Sequence, residues 1–358
     1  MDPIVGEDSE FSSNGFTSPQ VSEAEVGTPL RHSDMCFEDG NIVILAGQIY
    51  FLLHQGVICR HSQILHQAIS GIQTSSNMKS IEGRPVLSLP YAAQDLSYFW
   101  RALYGLPVSP NGEDAYVMEF ALLKLSTVYE VTYLRTQVLN RLTITWPITL
   151  AQWEIRELVP SVGYPPPPGR PHPILVVALS REVDAPELLP SAFYDLSRYL
   201  PSQLASDHLD LRSNVVHRLS LDDLYKVFRG KEQAARYLST FVVNELEGRM
   251  PSKCCQNRHE LHPFRKRGCQ AAFEAVTLSV LRDCNGMMLG HGNSDPLYTL
   301  ADSLLMQTKD DAPGIENAAT HRACESCRLE YGSVVKAVRE EFWRRIPEWF
   351  ELDVENWG

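Results

Sequence analysis

The sequence has no apolar run near the ~20 residues that a membrane-spanning helix requires; Ile174-Leu-Val-Val-Ala-Leu179 is far too short. Its opening residues lack the basic stretch and apolar core of a secretory signal. It contains no G-x-S-x-G elbow, no P-loop, no G-x-G-x-x-G after a strand and no H-E-x-x-H. A deaminase-type H-x-E with a matching cysteine pair is also missing. These absences remove the usual signatures of acyl transfer, nucleotide binding and zinc hydrolysis. No internal repeat of a few tens of residues occurs, which argues against kelch, ankyrin or WD arrays. Excess positive charge is lacking as well: the formal net charge is −12, which argues against a nucleic-acid partner bound on a broad basic surface.

What is present describes a globular chain. Its 358 residues suit two ordinary domains, and 44% hydrophobic against 21% charged residues suffices for a real core. Residues 1–30 carry Asp2, Glu7, Asp8, Glu10, Glu23 and Glu25 with no Lys or Arg, and few neighbouring apolar residues. Such a composition predicts a disordered acidic tail.

Order is expected from about Asp34. Asn41–His54 is β-rich and broken at Ala46-Gly47, which reads as a hairpin. Val57, Ile58, Ile64, Leu65, Ala68 and Ile69 then share one helical face, and Pro85–Leu89 reads as a strand. Leu96, Phe99, Trp100, Leu103 and Tyr104 keep strict helical spacing, with Gly105 as the stop. Two more helices follow, around Met118–Leu125 and Val131–Leu142. Trp146-Pro147 and Tyr164-Pro-Pro-Pro-Pro-Gly169 interrupt the pattern and place a proline-rich connector over 146–172.

Beyond it, 174–179 reads as strand-like, and Asp184 with Pro186 as the cap and first turn of a helix carrying Leu188, Leu189, Ala192, Phe193 and Leu196. Ser220 with Asp223 resembles a capping box, with Gly230 as that helix's stop. Phe273/Val276/Val280, Leu297/Leu300/Leu304 and Val335/Val338/Phe342/Ile346 mark further helices. The expected architecture is α+β: a small sheet with a helical cluster over 31–145, then a mainly helical domain over 173–358.

The first unit resembles a BTB/POZ domain. The residues that carry the resemblance are Asp34, Phe51-Leu-Leu-His54, Val57-Ile58, Ser62, Asp95 with Leu96 and Phe99, Leu103-Tyr104-Gly105, and Leu122 through Tyr129 to Leu134. Phe37-Glu-Asp-Gly40 and the ending Phe342-Trp343…Pro347-Glu-Trp-Phe350 are similar to the BTB proteins expanded in mushroom-forming fungi. The resemblance implies a non-enzymatic interaction module that pairs with itself or with another BTB protein. It also raises a cullin-ligase adaptor, although Ser80 stands where such adaptors carry an apolar residue two places before Glu82. A transcriptional regulator using the cysteine-rich region is the other alternative, and the acidic balance opposes it. Asp34, His54 and Ser62 are expected to be buried polar groups satisfying one another rather than catalysts.

Of eight cysteines, six fall between Cys254 and Cys327. Without a secretion signal they read as thiols or metal ligands, and the compartment as cytoplasm or nucleus. Cys324-Glu-Ser-Cys327 has the C-x2-C spacing that brings two thiolates to one Zn²⁺. Cys254 or Cys255, with Cys269, supplies a second half-site for a structural zinc; His259 and His262 lie between them as substitutes. The other reading is reduced thiols buried as small apolar residues. Arg265-Lys-Arg267 reads as a solvated loop, and Glu154 with Glu157, like Glu340-Glu341, as solvated helix faces.

Overall fold

The computed structural model describes residues 28–74, 79–108, 115–158, 171–205, 208–210, 215–284, 295–306, 322–355 and 357–358. The acidic segment 1–27 and the four prolines of 165–168 lie outside the described residues.

The protein is mixed α+β. Strands β1 (Leu30–Cys36), β2 (Ile42–Ala46), β3 (Ile49–Leu53), β4 (Ser80–Ile81) and β5 (Arg84–Ser88) form one sheet in the order β1-β3-β2-β5-β4. β2 and β3 are an antiparallel hairpin whose two-residue turn begins at Gly47, with φ of +59°. A positive φ at the first turn position matches the twist of the flanking strands, and glycine adopts it without steric cost. β5 returns parallel to β2, as a connection through two helices, α1 (Gln55–His61) and α2 (Gln63–Gln73), allows.

Helix α3 (Ala93–Leu103) follows, and its expected stripe is the buried one: Leu96, Phe99, Trp100 and Leu103 share a core with Ile42, Ile44, Phe51 and Leu53 of the hairpin. Full burial of each such side chain contributes about 2 kcal/mol. Gly105 at φ +65° ends the helix as expected. An antiparallel pair, α4 (Ala115–Val128) and α5 (Thr132–Thr145), completes this unit.

The second half contains helices α6 (Leu150–Leu158), α7 (Pro173–Glu182), α8 (Leu189–Ser197), α9 (Pro201–Leu204), α10 (Leu221–Phe241), α11 (Pro263–Cys284), α12 (Pro296–Met306) and α13 (Glu325–Trp349). A short hairpin, β6 (His208–Asp210) with β7 (Val215–His217), precedes α10.

Several expectations are corrected. The strand-like run 174–179 is helical: His172 caps α7 through its ring, Pro173 opens it, and Ile174, Leu175, Val176, Val177 and Leu179 are all buried. A helix apolar on every side carries no periodic signal to distinguish it from a strand. Part of the expected connector is α6, anchored by buried Trp153. Asp184 is not a helix cap. It follows α7 at φ +50°, and its carbonyl accepts from Arg135 Nη2 at 2.6 Å. β1, too polar to show alternation, was not expected as a strand.

Asp34, His54 and Ser62 do not satisfy one another. Ser62 is buried, donates to the Tyr129 carbonyl at 2.7 Å and caps α2. His54 bonds Tyr104 and Asp39, whereas Asp34 is exposed and faces Arg101.

Ser220 does cap α10, accepting from the Asp223 amide at 3.0 Å, but Gly230 does not end it. The helix runs on to Phe241, and Gly230 is where Phe350 packs: a Cβ there would lie 2.2 Å from the Phe350 ring. Phe350 is itself fully buried, edge-to-face with Phe193. Helix propensity alone predicts that Gly230→Ala stabilises by about 1 kcal/mol. The packing predicts the opposite sign, a loss of about 1–3 kcal/mol. Chemical denaturation should show a lowered midpoint, and a raised one would refute the close approach.

Candidate metal centre

Three segments distant in sequence converge on one point. In the first, a turn sets Cys255: its amide donates to the Ser252 carbonyl at 3.0 Å, and Cys255 leads a 3₁₀ turn over Gln256–His259. In the second, α11 presents Cys269 two turns from its start. In the third, Cys324 is the N-cap of α13 and Cys327 lies in its first turn, so the C-x2-C spacing points both sulfurs to one side.

The Sγ atoms of Cys255, Cys269, Cys324 and Cys327 all lie within 4.8 Å of one another. Cys255 and Cys269 are 3.6 Å apart, Cys324 and Cys255 3.8 Å. A tetrahedron with metal–sulfur bonds of about 2.3 Å has edges of about 3.8 Å. Disulfide sulfurs would be about 2.05 Å apart, and all four cysteines are free. The four can bind a metal ion. Four soft donors leave no coordination position open, and this closed set suits a thiophilic, structural ion rather than a catalytic one.

The surroundings favour negative charge on sulfur. The Cys324 amide donates to Cys269 Sγ at 3.1 Å, Asn257 Nδ2 to the same sulfur at 3.3 Å, and the Ser252 amide to Cys327 Sγ at 3.3 Å. Such outer donors orient metal-bound thiolates. Without a cation, burial opposes ionisation. It pushes the Cys269 thiol up to about 11 and raises Cys327 further. Burial also acts on Cys324, but backbone amides of Cys327 and Gln256 donating to it bring that thiol down to about 7.

The structure brings Cys255, rather than Cys254, together with the other three. Cys254 is exposed and outside the group, as are His259 and His262. The Arg265–Arg267 run is the start of α11, not a loop. Ser252 and Asn257 carry no sequence signal for their roles, which depend on sulfurs many residues away.

A second polar cluster was also missed. Glu157 is not a solvated carboxylate. Arg156 forms a fork to buried Asp195 at 2.8 and 3.0 Å and lies 3.8 Å over the Trp153 ring. Arg198 bridges Glu157 at 3.1 Å, Asp195 at 3.2 Å and Asp295 at 2.9 Å. Burial would raise the Glu157 carboxyl, but the Arg198 and Arg156 guanidiniums hold it below its ordinary range. The Tyr194 hydroxyl donates to Asp295 at 2.7 Å, joining α8 to the start of α12. Every charge here has an opposite partner, as a buried structural network requires. Glu154 pairs with Arg339.

The two adjacent cysteines provide an internal control. Cys327→Ser should lower the unfolding free energy by about 4 kcal/mol or more, the scale of losing a metal anchor. Cys254→Ser should leave it within about 0.5 kcal/mol. Equal effects of the two in thermal or denaturant unfolding would contradict the assignment. No protein-family model matches the chain, and no curated protein matches it either.

Proposed function

We propose that the chain is a non-enzymatic protein-interaction protein with a BTB/POZ-type first unit, whose helical second half is clasped by a structural zinc ion. The observation that carries the first part is the order of elements over residues 30–145. A hairpin leads into two short helices, then a strand parallel to the hairpin's first strand, then α3 and an antiparallel helix pair. That order resembles the BTB arrangement. The polar groups of the unit serve structure: Ser62 caps a helix, and Tyr104 bridges the His54 amide and ring at 2.8 and 3.0 Å. What remains for a partner is surface, including β1, which pairs through one edge with β3.

An adaptor role for a cullin is less well supported. Glu82 sits in the β4–β5 turn at φ +52° and accepts from the Tyr50 hydroxyl at 2.6 Å, an intramolecular use of its carboxylate.

The zinc reading rests on the four clustered sulfurs and their amide donors. Each thiol must lose its proton to bind, so protons compete with the metal.

Two measurements check these readings. Light scattering on the full chain should give twice 40.4 kDa as concentration rises; a constant 40.4 kDa at every concentration would remove self-pairing. Metal release, followed with a colorimetric chelator, should be negligible near about pH 7 and rise steeply towards about pH 5, because the raised thiols regain protons first. Release independent of pH would contradict thiolate ligation.

A further inference from the structure

The chain is acidic overall, yet its cations are unevenly placed. Residues 249–267 hold Arg249, Lys253, Arg258, Arg265, Lys266 and Arg267 against one acid, Glu260, and Arg328 follows Cys327 directly. Elsewhere basic side chains are mostly tied to carboxylates: Arg84 to Glu82, Lys124 to Glu182, Arg181 to Asp223, Arg229 to Glu351, Arg236 to Glu232 and Arg339 to Glu154. Beside the cysteine centre the pattern reverses. Lys253, Arg258, Lys266, Arg267 and Arg328 have no ion-pair partner among the described residues, and the first four are exposed. Arg31, Arg60 and Lys79 are comparable but lie apart, on β1, on α1 and before β4.

The cysteine centre fixes this collar in place, since Lys253 and Arg258 flank Cys255, Lys266 and Arg267 precede Cys269, and Arg328 adjoins Cys327. Even four thiolates around a divalent ion would leave a net charge of about −2, and the exposed carboxylates of Glu260 and Glu325 add two more, still fewer than the five unpaired cations around them. The collar thus retains positive charge for something else to meet.

The chain carries a matching partner. Residues 1–27 hold six carboxylates and no Lys or Arg. A segment of 27 residues extends up to about 90 Å, whereas a folded body of this size has a radius of gyration of about 20 Å. Reach is therefore ample, and tethering keeps the local concentration of the segment high. We propose that residues 1–27 dock, carboxylate to cation, on the collar of Lys253, Arg258, Lys266 and Arg267 in the same chain. The docked segment shields the cations from other polyanions, nucleic acid among them. This inference is independent of the pairing assigned to the first unit.

Zero-length carbodiimide crosslinking of the full chain, with peptide mapping of the single-chain band, tests it. Asp and Glu of residues 1–27 should join Lys253 and Lys266 in preference to Lys79 and Lys336. The yield should fall at least fivefold in an Arg258→Glu/Arg267→Glu variant, which leaves both lysines in place. It should also fall in about 1 M salt, where screening acts within about 3 Å. Crosslinks spread evenly over all four lysines, unmoved by the charge reversal, or found only between chains would overturn the proposal. A full-length variant with Asp2, Glu7, Asp8, Glu10, Glu23 and Glu25 changed to the corresponding amides should elute from heparin at higher salt than the unaltered chain. Elution at the same salt would show the collar already open to polyanions and would equally overturn it.

Discussion

Four sulfurs within 4.8 Å of one another, three of them buried, set the constraint on which the second half depends. Packed thiols alone gain little from such proximity, because an S–H is a weak donor and sulfur a weak acceptor. Yet backbone and side-chain N–H groups are directed at Cys269 and Cys327, an arrangement that favours charge on sulfur. A divalent ion held there would replace the protons that burial otherwise retains and would join three segments that no strand or continuous helix connects, one of them the start of α13. From Cys327 that helix crosses the core through Tyr331, Val335, Phe342, Trp343 and Ile346, and ends at Phe350 against Gly230.

The two halves share one hydrophobic core, which runs from the hairpin and α3 through α7 and α8 to α13. Where charged groups enter that core they come in compensated sets. Arg156, Arg198, Asp195, Glu157 and Asp295 tie α6, α8 and the start of α12, with Trp153 beneath a guanidinium. Such networks add little net stability over apolar packing, but breaking one partner strands a charge. Their role here is to fix which helices meet.

Legibility in the sequence followed distance along the chain. The α3 stripe, the Gly105 stop and the Ser220 cap are settled by neighbours within a few residues, and each could be read directly. The C-x2-C pair was legible for the same reason, since both sulfurs belong to one helical turn. Cys255 and Cys254 could not be told apart, because the choice depends on the turn set by Ser252. Gly230 looked like a stop until Phe350, far along the chain, explained it. Glu157 looked solvated because Asp195 and Arg198 lie some forty residues on. The helix α7 was hidden by its own burial: a run that is apolar on all sides loses the period that distinguishes helix from strand.

X-ray absorption at the zinc edge of the purified chain tests the clasp most directly. One zinc per chain is expected, with four sulfur neighbours at about 2.3 Å and no lighter ligand. Folded protein free of metal, or a shell in which nitrogen from His259 or His262 replaces sulfur, would contradict it.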